Sequence, residues 1–152
     1  MQDIMELAVA VELECAALYE VFAKNFSGNP ELSYFWSLYA EAERYHGATI
    51  RIHQAAFTDG VDPARLQVGS EEMSSLLSYI REHVARFERA PATIDEAIRI
   101  ARRIEESSAD LHGRTQFFKL HPAYGELFDK MAEEDRAHRD ALLAAEKKFA
   151  SA

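Results

Sequence analysis

The chain has 152 residues and a mass of 17.2 kDa, and we expect one domain over residues 1–152. Acidic residues outnumber basic ones by 26 to 17, which gives a net charge of −9. This balance argues against nucleic acid or an anionic membrane as a partner, because phosphate groups are bound by clustered lysine and arginine. A hydrophobic fraction of 48% argues against disorder, and a single cysteine excludes an internal disulfide and a thiolate metal cluster.

The sequence shows no targeting or membrane signal. The N-terminal residues lack the basic region and the small-residue cleavage site of a signal peptide. The longest uncharged run there, from Leu7 to Val11, is far shorter than the ~20 residues that a membrane helix requires. We therefore expect a cytoplasmic protein.

Helix breakers and caps divide the chain into five predicted helices. Asn29 is expected to cap the second helix, with Pro30 in its first position, and Thr93 and Glu96 form a capping box before the fourth. The long breaker-rich stretch is 58–70. In chain order the helices are predicted at residues 2–27, 30–57, 71–89, 94–120 and 123–149.

The lengths of the connections predict how these helices are arranged. The first two helices are joined by a short turn, as are the last two, so each pair should form an antiparallel hairpin. The segment 58–92, which includes the short helix, would carry the chain from one hairpin to the other. The expected fold is an all-α four-helix bundle with one long crossover connection.

The two hairpins repeat each other in sequence at a shift of 92 or 93 residues. Each hairpin places a lone carboxylate on its first helix and a carboxylate-x-x-His motif on its second. With approximate two-fold symmetry these groups would meet at one level of the bundle. They are Glu12, Glu43 and His46 in the first hairpin, and Glu105, Asp135 and His138 in the second.

These residue types in this pattern predict a metal site. A carboxylate and a histidine three residues apart lie on the same face of a helix, so both can reach one ion. Glu12, Asp135 and His138 interrupt apolar stripes and should therefore point inward. Buried carboxylates repel one another and lose hydration, and divalent cations would neutralise them. Oxygen and nitrogen ligands without thiolate suit iron or manganese, with zinc also possible.

With these motifs the sequence resembles the ferritin-like superfamily, and within it the rubrerythrin branch. The resemblance covers almost the whole chain and depends on Glu12 to Tyr19, followed by Glu43-x-x-His46, and on their counterparts in the second half. It implies a ferritin-like fold with two iron ions bound by the six residues above. It also implies peroxidase or ferroxidase chemistry, in which hydrogen peroxide or O2 oxidises a di-iron(II) centre, and a possible homodimer.

Several departures from that family bear on the expected activity. Asp135 stands where the family usually has glutamate, and Ser108 stands where rubrerythrins carry an additional glutamate. The chain has no rubredoxin-like cysteine module, so electrons would come from a separate donor protein. His112 replaces the tyrosine found at position 19 and would supply a further ligand or a proton. Two alternatives stay open: a metal-binding or iron-handling module without turnover, and a bundle that acts only as an interaction protein.

Some neighbouring residues compete with the candidate ligands. Glu14 also lies on an apolar stripe, but its counterpart in the repeat is a serine, which favours Glu12. His53 lies one heptad after His46 and is interpreted as a core histidine with its hydrogen bonds satisfied, with a role beside the metal as the alternative. Three tyrosines near the motifs are expected to be core aromatics: Tyr19, Tyr39 and Tyr45.

Overall fold

The computed structural model describes residues 4–56, 70–114 and 122–149. All regular secondary structure in these ranges is α-helical, which confirms the all-α prediction. Predicted helix ends that fall on described residues lie within two residues of the observed ones, whereas the expected helix over 115–120 and most of the breaker-rich stretch lie outside them. The helices are α1 (Ile4–Asn25), α2 (Pro30–Ala56), α3 (Ser70–Phe87), α4 (Ile94–Arg114) and α5 (Pro122–Phe149).

The chain divides into two compact units, Met1–Ala90 and Pro91–Ala152. The first contains α1, α2 and α3, and the second contains α4 and α5. A single domain with the ferritin-like arrangement of its two hairpins stays a prediction. None of the helices in the described ranges combines the length and the apolar character needed to cross a bilayer.

Local capping interactions set the turn between α1 and α2. The backbone N–H of Leu32 donates to Asn29 Oδ1 over 3.2 Å, which confirms the predicted cap. The Ser33 hydroxyl donates to the carbonyl of Ala23 over 2.9 Å and joins the two helices beside the turn. Since α1 and α2 pack together through this short turn, they form the expected antiparallel hairpin.

The helix α3 packs against α1 and runs in the same direction. Arg81 Nε donates to Glu14 Oε1 over 2.9 Å, and further along both helices the rings of Phe22 and Phe87 have centroids 5.5 Å apart. Because residue numbers rise together along the two helices, their directions are parallel. The sequence alone had not predicted that the short helix covers α1.

Aromatic rings fill the first unit near the turn. Tyr19 stacks on Trp36 with centroids 5.6 Å apart and meets Tyr39 edge-on at 5.7 Å. These contacts confirm Tyr19 and Tyr39 as core aromatics. The prediction for Tyr45 was wrong, since this side chain is 63% exposed. Tyr45 lies only one residue before the buried His46, and adjacent positions on a helix differ by about 100°, which turns Tyr45 to the solvent.

The second unit is a hairpin of α4 and α5. The backbone N–H of Glu96 donates to Thr93 Oγ1 over 3.2 Å and that of Thr93 donates to Glu96 Oε2 over 3.1 Å, so the predicted capping box is present. Arg102 on α4 lies 3.2 Å from Glu146 near the end of α5. Further along α4, Glu105 pairs with His138 and His112 pairs with Asp135. Because residue numbers rise on α4 while they fall on α5, the two helices are antiparallel.

Candidate metal centre

The first unit gathers two carboxylates and one imidazole in its interior. Ligand atoms of Glu12, Glu43 and His46 all lie within 4.8 Å of one another, and all three residues are at most 3% exposed. His46 Nδ1 is 3.2 Å from Glu43 Oε2 and 3.4 Å from Glu12 Oε2. The three side chains therefore converge on one volume, as the helical spacing predicted.

Two local features of the helices produce this convergence. Glu43 and His46 are three residues apart on α2, so their side chains leave the same face of that helix. Glu12 comes from α1, which passes close to α2 at Gly47. A Cβ atom added at Gly47 would lie 3.4 Å from Glu12 Cβ and 3.4 Å from Leu13 Cδ2. Gly47 therefore lies where the two helices pack closely beside the cluster, and a methyl group there would make ordinary contacts with α1.

The two carboxylates strongly raise the pKa of His46. Burial by itself would lower the pKa of His46, but hydrogen bonds to Glu12 and Glu43 and the negative charge of both outweigh it and raise the pKa from 6.5 to about 12. At neutral pH His46 therefore keeps its proton in the metal-free cluster. A metal ion that takes the imidazole as a ligand must displace this proton.

The donor set fits a divalent cation. Two carboxylate oxygens and one imidazole nitrogen lie close enough together to bind one ion, so the cluster could hold a metal. A divalent cation would also balance the two negative charges once the imidazole has lost its proton. The residues do not select one metal, because iron, manganese and zinc all accept carboxylate and imidazole ligands.

In the second unit the predicted residues form two buried or partly buried pairs across α4 and α5. His138 Nδ1 lies 3.4 Å from Glu105 Oε2, and His112 Nδ1 donates to Asp135 Oδ2 over 2.8 Å. Glu105, His112 and Asp135 are buried, while the His138 side chain keeps 21% of its surface exposed. The hairpin thus pairs Glu105 with His138 and Asp135 with His112.

The contact of His112 with Asp135 is the main difference between the two halves of the repeat. At the corresponding place in the first unit, Tyr19 lies in the aromatic core. Sequence reasoning left the role of His112 open and did not connect it with Asp135. The available signal was the coincidence of two departures, a histidine in place of tyrosine and an aspartate one methylene shorter than glutamate.

The structure also distinguishes the candidate acids from their neighbours. Glu12 is buried, whereas Glu14 is partly exposed and pairs with Arg81 on α3, which confirms that Glu12 faces the interior. Glu106, next to Glu105 on α4, is exposed. Metal binding by Glu12 and Glu105 stays a prediction.

His53 is half-buried, and its Nδ1 donates to the carbonyl oxygen of Thr49 over 2.9 Å. This backbone bond supports the interpretation of His53 as a histidine with satisfied hydrogen bonds.

Two arginines near the predicted ligands form ion pairs with other acids. Arg44 pairs with Glu20 on α1 and with Glu41 on its own helix. Arg102 pairs with Glu146 on α5. Both guanidinium groups therefore pair with acids other than the candidate ligands.

Comparison with known proteins gave no match to a family model, to a curated protein or to a solved structure. The class of protein therefore follows from the described residues themselves. They define an all-helical protein whose buried carboxylate and histidine side chains could hold a metal ion.

Proposed function

We propose that the protein is a di-iron carboxylate protein that reacts Fe(II) with hydrogen peroxide or O2. The observation that carries this proposal is the buried group of Glu12, Glu43 and His46, with ligand atoms within 4.8 Å of one another. Three ionisable side chains in a dry interior need compensation, and a bound cation supplies it. The family resemblance of the sequence supports iron as that cation.

The internal repeat supports a second ion with its own ligands. Glu105, Asp135 and His138 occupy the positions that correspond to the first group, and they lie on the facing helices of the second unit. When iron is bound, two Fe(II) ions supply the two electrons that, with two protons, reduce hydrogen peroxide to two water molecules. The chain's own part is to bind the ions, to exclude water from them and to release the His46 proton on loading.

Metal content after anaerobic loading with Fe(II) tests the binding proposal. We expect two iron ions per chain in the wild type and a loss of iron in Glu43→Gln, which keeps the shape of the side chain but removes its charge. Glu41→Gln is the matched control, because Glu41 lies two residues away on α2 and is exposed. Wild-type protein without iron, manganese or zinc after metal-replete expression would refute the proposal and favour a purely structural or interaction role.

A module that binds iron without turnover is the second candidate. The observation in its favour is the short side chain of Asp135, whose Oδ2 is already held by His112 at 2.8 Å. The rate of peroxide consumption, measured against bound iron in the same sample and with a chemical reductant in place of the donor protein, separates the two. Repeated turnover supports the oxidoreductase, whereas stable iron binding without turnover supports the module.

A further inference from the structure

A groove with a volume of about 320 Å³ lies along the solvent side of α1, flanked by α2 and α3. Both of these helices pack against α1, so α1 forms the floor of the groove. The floor is apolar and consists of Val9, Ala10, Leu13 and Ala17. Ligand pockets in proteins have volumes of roughly 300–1,000 Å³ and mainly apolar linings with a few polar groups, so the groove has the size of a site for a small molecule.

Four charged side chains border this floor, and their charges balance: Glu6, Glu14, Arg51 and Arg81. Arg81 Nε donates to Glu14 Oε1 over 2.9 Å, so these two charges neutralise each other. Glu6 and Arg51 are exposed, and in the part of the chain that the structure describes neither forms an ion pair. The groove therefore offers one carboxylate and one guanidinium to a ligand. A ligand with a net charge would be attracted by one of them and repelled by the other.

Glu6 and Arg51 lie at the same end of the groove. The helices α1 and α2 are antiparallel, and Gly47 on α2 lies beside Leu13 on α1. Arg51, about one turn further along α2, is therefore level with Val9, and Glu6 is only about 4–5 Å away in height. Two opposite charges at one end of an apolar floor match a ligand whose own two charges adjoin at one end of an apolar body.

We propose that this groove binds an α-amino acid with an apolar side chain. The carboxylate of the ligand accepts hydrogen bonds from the Arg51 guanidinium, whose fork of N–H groups matches a carboxylate. The ammonium group donates to Glu6, and the apolar side chain packs on Leu13 and Ala17. The proposal is independent of the metal centre, because none of the groove residues belongs to the candidate metal ligands.

Titration of the 15N-labelled, metal-free full chain with L-leucine, followed by NMR, tests the binding. Amide signals of the groove should shift and saturate with a dissociation constant on the order of 1 mM, because the ligand has few atoms. Glycine lacks the apolar body and leucinamide lacks the carboxylate, so each should bind at least about tenfold more weakly. The proposal is overturned by the absence of saturable shifts up to ~20 mM leucine, or by glycine or leucinamide binding as tightly as leucine.

Arg51→Gln tests the contact with the carboxylate. This variant should bind leucine at least about tenfold more weakly while circular dichroism keeps the helical signal. Arg44→Gln is the matched control, because Arg44 lies one heptad earlier on α2 and pairs with Glu20 and Glu41. It should bind leucine like the wild type. Unchanged binding in Arg51→Gln, or an equal loss in both variants, contradicts the proposed site.

Glu6→Gln tests the recognition of the ammonium group. The leucine analogue 4-methylpentanoate has a carboxylate and no ammonium group, so the charge of Glu6 should weaken its binding to the wild type. In Glu6→Gln it should bind more tightly than to the wild type, whereas leucine should bind more weakly. A variant that only disturbed the groove would weaken both ligands. A parallel change of both affinities, or no change in either, would overturn the assignment to an amino acid.

Discussion

Raising the pH of the metal-free protein should weaken its fold through His46. The pKa of this side chain is about 12 in the folded chain, and its ordinary value of 6.5 applies when the chain is unfolded. Below pH 6.5 both states bind the proton, and the stabilisation is complete. Between the two values the unfolded chain loses the proton while the folded chain keeps it, so stability falls by about 1.4 kcal/mol per pH unit. It is fully lost above the folded pKa.

The slope gives a measurable magnitude between pH 7 and pH 9. His46 by itself should reduce the free energy of unfolding by about 2.5 kcal/mol over this range. This result requires only that the pKa of His46 in the folded chain lies well above 9. Below that pKa, the fall in unfolding free energy per pH unit does not depend on its value. Urea denaturation with a chelator present, extrapolated to zero urea at each pH, measures the effect.

Two variants separate His46 from other groups that titrate in the same range. His46→Gln should lose the fall in stability that His46 causes, because the other titratable side chains are the same in both proteins. His53→Gln should keep the wild-type slope, because it leaves His46 and its two carboxylates in place. Equal slopes for the wild type and His46→Gln, or a wild type that becomes more stable toward pH 9, would refute the reasoning.

Metal binding should reverse this dependence. Because the ion needs a neutral imidazole, it competes with the proton on His46, and raising the pH favours the ion. The gain in stability on adding Mn(II) should therefore be larger at pH 9 than at pH 7. Calorimetry in buffers of different ionisation enthalpy should show release of about one proton per ion bound to this cluster.

Three further substitutions have defined outcomes. Gly47→Ala should raise the thermal midpoint by about 2–4 °C, because alanine favours the helix by about 1 kcal/mol and its Cβ would be 3.4 Å from Glu12 Cβ, an ordinary contact; a lower midpoint would show that the helices cannot accept the methyl group. His112→Phe should weaken metal binding about 10–100-fold by releasing Asp135, with partial rescue in His112→Gln, which can still donate a hydrogen bond. Arg81→Ala should change stability by less than about 1 kcal/mol in urea titrations, since its ion pair is exposed.

The ends of the helices could be predicted from the sequence because caps and turns are local. Asn29 bonds to an N–H three residues later, and Thr93 and Glu96 satisfy each other's backbone. Such bonds depend on spacing along the chain and are present whatever the helix packs against. The burial of Glu12 could also be predicted from the sequence. An acid that lies in an apolar stripe and has a counterpart in the repeat is expected to face the interior.

Tertiary packing alone decided which neighbours meet. Periodicity states that residues share a helix face, but not which other helix covers that face. Tyr45 is exposed because the face of α2 that packs into the core includes His46, the next residue, and not Tyr45. Arg81 reaches Glu14 on α1 because α3 packs along α1 in the same direction. The contact of His112 with Asp135 joins two helices across 23 positions of sequence. Contacts of this kind depend on how side chains fill space between helices, and no spacing within one helix specifies them.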